Sequence, residues 1–253
     1  MSYNQGTYKR PAWIGITVAV VLGLWFFGGP LRNAGERARL SGPAGFEAEL
    51  LRDPQAGELF KTIKTTNPEE MADFVEVGAR MMARGASREE MAAHTVRLMQ
   101  MLQRDVPTQL AVAPHAELVA AVRAQAAMME KARATDVASC ASLASTGAFD
   151  GAHSELRAST TATSIARLRA AAAGRDHPQA GAGKLTAEDV RMLSATMRKN
   201  GLGESDVETF NTATDMRGTP PRALCDITYH SYRAVLEMPE AAGDRLMRWM
   251  LGP

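Results

Sequence analysis

The sequence predicts an all-α protein in which a single N-terminal transmembrane helix precedes an irregular multi-helix soluble domain. Three observations carry that prediction. Residues 12–29, AWIGITVAVVLGLWFFGG, form one uncharged apolar run. Beyond it, nearly every proline, glycine and capping residue falls where a helix would start or stop. No segment alternates apolar and polar residues over the length of a strand.

At 1.5 Å per residue the run makes a helix of about 27 Å, close to the ~30 Å hydrocarbon core of a bilayer. Trp13 and Trp25 lie near its ends, where amphipathic rings settle at the headgroup level and anchor the span. A cleaved signal peptide fits less well, because the following GPLRNAGERARL has no small-x-small cleavage pattern and the run is long for a signal core. A helix apolar on every face also needs lipid or a large protein around it. Gly15, Ala19 and Gly23 recur every four residues and form one small face, which lets two membrane helices approach closely. The predicted partners are therefore other transmembrane helices or subunits of an inner-membrane complex, besides the lipid bilayer itself.

Flanking charge does not set the orientation: Lys9 and Arg10 precede the run, and Arg32, Arg37 and Arg39 follow it. The cysteines do bear on it. There are two, Cys140 and Cys225, far apart and without the CxxC spacing of a metal or redox site. Such a pair suits a structural disulfide, which persists in an oxidising compartment such as the periplasm. The expected layout is a short cytoplasmic tail at 1–11, the membrane helix at 12–29, a Gly-, Pro- and Arg-rich juxtamembrane linker at 30–45 and an α-helical soluble domain at 46–253. The stretch 174–184, GRDHPQAGAGK, reads as a mobile loop and a candidate point of subdivision.

Within the soluble part, Asp53-Pro54 pairs a capping side chain with a proline at a first helical position, opening a helix through Leu59, Phe60 and Ile63. Asn67-Pro68 repeats the device before a face of Met71, Phe74, Val75, Gly78, Met81 and Met82, which stops at Gly85. Ser87 and Glu90 form a capping box for a helix burying Met91, Thr95, Leu98, Met99 and Leu102. Helices over 68–84 and 88–104, joined so tightly, must run antiparallel. Pro107 and Pro114 interrupt the next apolar stretch, and a long helix begins at His115 and runs to about Ala134.

Asp136 caps a short helix carrying Cys140 and Leu143 and ending at Gly147. Residues 153–173 are Ala-rich and helix-competent, although the central STTATS competes for backbone groups. Thr186 and Asp189 cap a helix closed by Asn200-Gly201, and Ser205 with Glu208 predicts another capping box. Thr219-Pro-Pro opens a helix bearing Leu224, Cys225, Ile227, Tyr229, Tyr232 and Val235, and Pro239 starts the last one. Eight to ten helices are expected, with no repeat of solenoid period.

Chemistry-bearing patterns are sparse. Lys and Arg total 29 against 28 acids, which gives no electrostatic case for nucleic acid. His94, His115, His153, His177 and His230 never stand at zinc-pair spacing, and Asp150, His153 and Glu155 read as a solvated helix start rather than a metal site. Residues 180–186, AGAGKLT, fail as a phosphate loop, since Pro178 stands where the first glycine belongs and Leu185 where Ser or Thr should follow the lysine. Met81, Met82, Met99, Met101, Met128 and Met129 fall mostly at core spacing, so packing is preferred to copper binding. No catalytic, cofactor-binding or metal-binding residue is assigned, and no cofactor is expected.

The role this predicts is a membrane-anchored helical accessory or scaffold subunit of a bacterial inner-membrane assembly, with its large domain in the periplasm. The bacterial source rests on the Ala-rich composition and the excess of Arg over Lys, both of which suit a high-GC genome. The alternative is a tethered periplasmic cell-wall hydrolase of lytic transglycosylase type, with Glu204 of the Gly203-Glu204-Ser205 stretch as its acid.

Overall fold

In the computed structural model, which describes residues 42–54, 56–147, 154–180, 183–212, 216 and 218–252, the chain is all-helical: eleven α-helices and, among those residues, no strand. They are α1 (Pro43–Arg52), α2 (Gly57–Thr66), α3 (Pro68–Ala83), α4 (Arg88–Leu110), α5 (His115–Thr135), α6 (Val137–Thr146), α7 (Ser154–Asp176), α8 (Ala187–Lys199), α9 (Glu204–Thr212), α10 (Pro221–Val235) and α11 (Glu240–Leu251). Among the described residues no helix is long and apolar enough to cross a membrane. The predicted membrane run 12–29, with Trp13, Trp25 and the Gly15, Ala19 and Gly23 face, lies outside them.

The capping chemistry sets most boundaries. Ser87 accepts the Glu90 N–H at 3.2 Å while the Glu90 carboxylate accepts the Ser87 N–H at 2.8 Å, so each satisfies an orphan donor of α4. Thr186 and Asp189 do the same for α8, and Asp136 accepts from Ser139 N at 2.7 Å to open α6. Helix α3 ends at Gly85 (φ 75°), with Gly85 N bonded to Met82 O and Ala86 N to Met81 O, the paired bonds of a Schellman stop. Gly201 (φ 95°) ends α8 in the same way, through Met197 and Arg198 carbonyls.

Five local expectations are corrected. Helix α1 lies partly in the stretch read as linker: Pro43 sits in its first turn, and Phe46 and Leu50, one turn apart, are buried in the core. Asp53 does accept the Ala56 N–H at 2.6 Å, but α2 starts at Gly57 rather than at the proline. Helix α4 runs through Pro107 to Leu110, because continuing it buries Val106 and Leu110 and this packing outweighs the lost backbone bond. Helix α7 continues through Gly174 to Asp176, so the predicted loop begins three residues later, at His177. Helix α9 starts at Glu204, which puts Ser205 inside its first turn and removes the predicted capping box.

The Ser and Thr side chains in the middle of α7 do not break it, since Thr160, Thr163 and Ser164 each return their hydroxyl to the carbonyl four residues back. The antiparallel pair α5 and α7 forms the spine. Thr163 on α7 also donates to the Ala124 carbonyl of α5 at 3.2 Å, while Gly174, near the far end of α7, lies against Ala113 just before α5. Helices α2 and α4 pack on α7, and α1 and α3 complete that side. Helices α6, α10 and α11 pack on α5, with α8 and α9 outside them. One continuous apolar core runs from Phe46 to Leu251.

Candidate functional site

Helix α6 is short, apolar and capped by Asp136, and it lies against α5 and α10. That placement brings Cys140 and Cys225 together: both are fully buried, their Cα atoms are 5.4 Å apart and they form a disulfide. The bond ties α10 to the middle of the chain across a sequence separation of 85 residues.

Around it, α10 carries a belt of charge. Asp226 accepts from Arg133 of α5 and, at 3.2 Å, from Arg222 one turn earlier. The Arg133 and Arg233 guanidinium groups stand 5.3 and 5.7 Å from the centre of the Tyr229 ring, and Arg233 donates to the Tyr229 hydroxyl at 3.0 Å. His230 packs against the edge of that ring at 5.0 Å. Burial, helped by the Arg133 charge, lowers its pKa, and its Nδ1 has no partner among the described residues.

A second polar region lies deeper, along the seam between α5 and α7. Gln125 of α5 is fully buried on a stripe with Ala121, Met128 and Ala132, and neither its amide nitrogen nor its oxygen has a hydrogen-bond partner among the described residues. Arg167 of α7 is 8 % exposed, on the stripe that includes Thr163 and Gly174. It makes no hydrogen bond or ion pair among the described residues. Burial pulls its pKa down, and the nearest electrostatic neighbour is Tyr232 of α10, whose own pKa burial pushes up to about 12. A guanidinium stays protonated at neutral pH even so. The chain matches no protein-family model, no curated protein and no solved structure. A functional reading must come from these residues.

The candidates raised by the sequence fare differently. The Cys140–Cys225 disulfide is present. His94 is a core residue: it stacks on Phe74 with ring centres 4.5 Å apart, its Nε2 lies 2.9 Å from the Phe74 carbonyl, and burial lowers its pKa. His115 faces Asp244 at 3.2 Å, and His177 is exposed just past α7. His153 and Asp150 lie outside the described residues, and Glu155 is exposed in the first turn of α7. Among the described residues no three His, Cys, Asp or Glu side chains come together as a metal site.

Glu204 is exposed and held by both oxygens to Arg198, at 2.6 and 2.7 Å. That bonding lowers its pKa, whereas a general acid needs a raised one. Met81, Met99, Met128 and Met129 are core residues; Met101 is 51 % exposed on α4. Thr186, at the end of the rejected phosphate loop, is the α8 cap.

Sequence reading missed Gln125 and Arg167. A trace of each was available. Both interrupt a stripe of small or apolar residues at helical spacing, Ala121 to Ala132 on α5 and Thr163 to Gly174 on α7, where a polar side chain must face its neighbour helix rather than water.

Proposed function

We propose that this chain is a single-pass accessory or scaffold subunit of a bacterial inner-membrane assembly. Residues 12–29 anchor it, and the described helical domain stands in the periplasm. The observation that supports this best is the buried disulfide, because a structural bond of this kind persists where thiols are not kept reduced. Joined to an uncharged apolar run of spanning length ahead of the domain, it favours export over a cytoplasmic location. The small face of Gly15, Ala19 and Gly23 supplies a mode of assembly, in which close backbone approach drives association between membrane helices. The hydrolase alternative loses support for its proposed acid, since Glu204 is exposed and its bonding to Arg198 lowers its pKa rather than raising it.

The test is co-purification from membranes in a mild detergent, comparing the natural chain with Gly15→Leu/Gly23→Leu. The double variant is expected to insert normally and to lose its membrane partners, because the added side chains hold the helices apart. An unchanged set of partners would remove the packing face from the account. A reporter that is active only after export, fused behind Pro253, is expected to be active; a cytoplasmic reporter active at that position would reverse the orientation.

A further inference from the structure

We propose that Met101 is a reversible oxidation site, at which a hydroperoxide converts the thioether to a sulfoxide and a thiol-dependent sulfoxide reductase reverses the change. The observation behind it is a contrast within one helix. Met101 is 51 % exposed, and no other large apolar side chain among the described residues is exposed. Met99, two positions earlier on α4, is 3 % exposed. Helix geometry explains the difference: Leu98 and Leu102, one turn apart, face the core, and each residue turns the helix by about 100°, so Met101 stands on the flank beside them. Its neighbours at helical spacing are Arg97 one turn before it and Arg104 and Asp105 one turn after it, all exposed. An adaptable gap filler has no core gap to fill there.

Exposure decides which methionine reacts, because the sulfur lone pair must meet the oxidant. The Met101 sulfur attacks one peroxide oxygen and the O–O bond breaks. The attacked oxygen stays on sulfur, which has given up two electrons, and the other oxygen leaves with the proton of the first, as water from hydrogen peroxide or as an alcohol from an organic hydroperoxide. In the reverse step two thiols return the electrons, the sulfoxide oxygen leaves as water and the thiols become a disulfide. Those thiols belong to the reductase, since Cys140 and Cys225 are already joined and fully buried. Position also sets what the fold loses. A sulfoxide is polar and disrupts a core. Met71, Met91, Met128, Met129 and Met197 are at most 2 % exposed, so their oxidation requires the domain to open. On the flank of α4 the added oxygen meets water, and the packing beneath it is unchanged.

The experiment exposes the full chain, in a neutral maltoside detergent, to dilute hydrogen peroxide. Samples are quenched over time and digested with trypsin, and fragmentation of the peptide spanning residues 98–104 separates oxygen gained at Met101 from oxygen gained at Met99. Met101 is expected to react first among the methionines of the described residues, at about ten times the rate of Met99 or more. In concentrated urea the two rates should converge. Chain oxidised only at Met101 is expected to keep its melting temperature and to return to the thioether with a methionine sulfoxide reductase and dithiothreitol. Equal rates at Met99 and Met101 in the folded chain, or an unreactive Met101, would overturn the site. So would a melting temperature that falls as Met101 alone is oxidised, or a sulfoxide that the reductase leaves in place.

Discussion

Asp189 holds a full negative charge where almost no water reaches it, its side chain being 1 % exposed. Four donors make that tolerable: Arg245 at 2.6 and 2.8 Å, and the Thr186 N–H and hydroxyl, both at 2.8 Å. The Arg245 bonds, the larger cause, and those from Thr186 hold its pKa down at about 2, below an ordinary value of 3.8. Because the folded value lies below the unfolded one, the unfolded chain binds more protons between them. The contribution of Asp189 is thus complete above about pH 4 and fades between about 4 and about 2, amounting to about 2 kcal/mol. Replacing it by Asn leaves Arg245 without its charge partner and should cost roughly 2–4 kcal/mol at neutral pH. Urea unfolding of both proteins from pH 6 down to pH 2.5 checks this, with the difference expected to shrink as the pH falls; a constant difference would mean that packing, not charge, makes the contribution.

At the scale of elements, Gly174 of α7 lies tightly against the end of α4. A Cβ there would collide with the Gln109 carbonyl oxygen and stand 3.1 Å from the Ala113 Cα, and backbone atoms have no rotamer by which to give way. Helix propensity alone predicts that Gly174→Ala gains about 0.5–1 kcal/mol. The crossing predicts the opposite sign, a net loss of roughly 1–3 kcal/mol by chemical denaturation. An unchanged or raised midpoint would show that α7 and α4 separate freely. This position also marks how far the sequence could be read. Caps such as Ser87 with Glu90, and stops such as Gly85 and Gly201, were legible because their chemistry is complete within a few residues. Gly174 looked like the start of a loop and Pro107 like a helix end, because in each case the deciding atom belongs to a helix distant in sequence. The Arg245 to Asp189 pair joins residues 56 apart and leaves no local trace.

Across the whole molecule, contacts distant in sequence close the structure on itself. Arg248 of α11 donates to the Ala111 carbonyl at 2.7 Å and, with His115, engages Asp244, which fastens the last helix to the junction of α4 and α5. The Cys140–Cys225 bond fastens the helix before it. For a closed loop of this length the chain-entropy estimate is about 4.6 kcal/mol, a large share of the net stability of an ordinary domain. A bond of that weight has consequences only where thiols oxidise, so the state of these two cysteines in living cells bears on fold and location together. The decisive measurement is to quench growing cells with acid, denature the chain and alkylate it with a heavy maleimide, with and without prior reduction. The account predicts no added mass without reduction and two additions after it. Two additions without reduction would contradict both the bond and the exported placement of the domain.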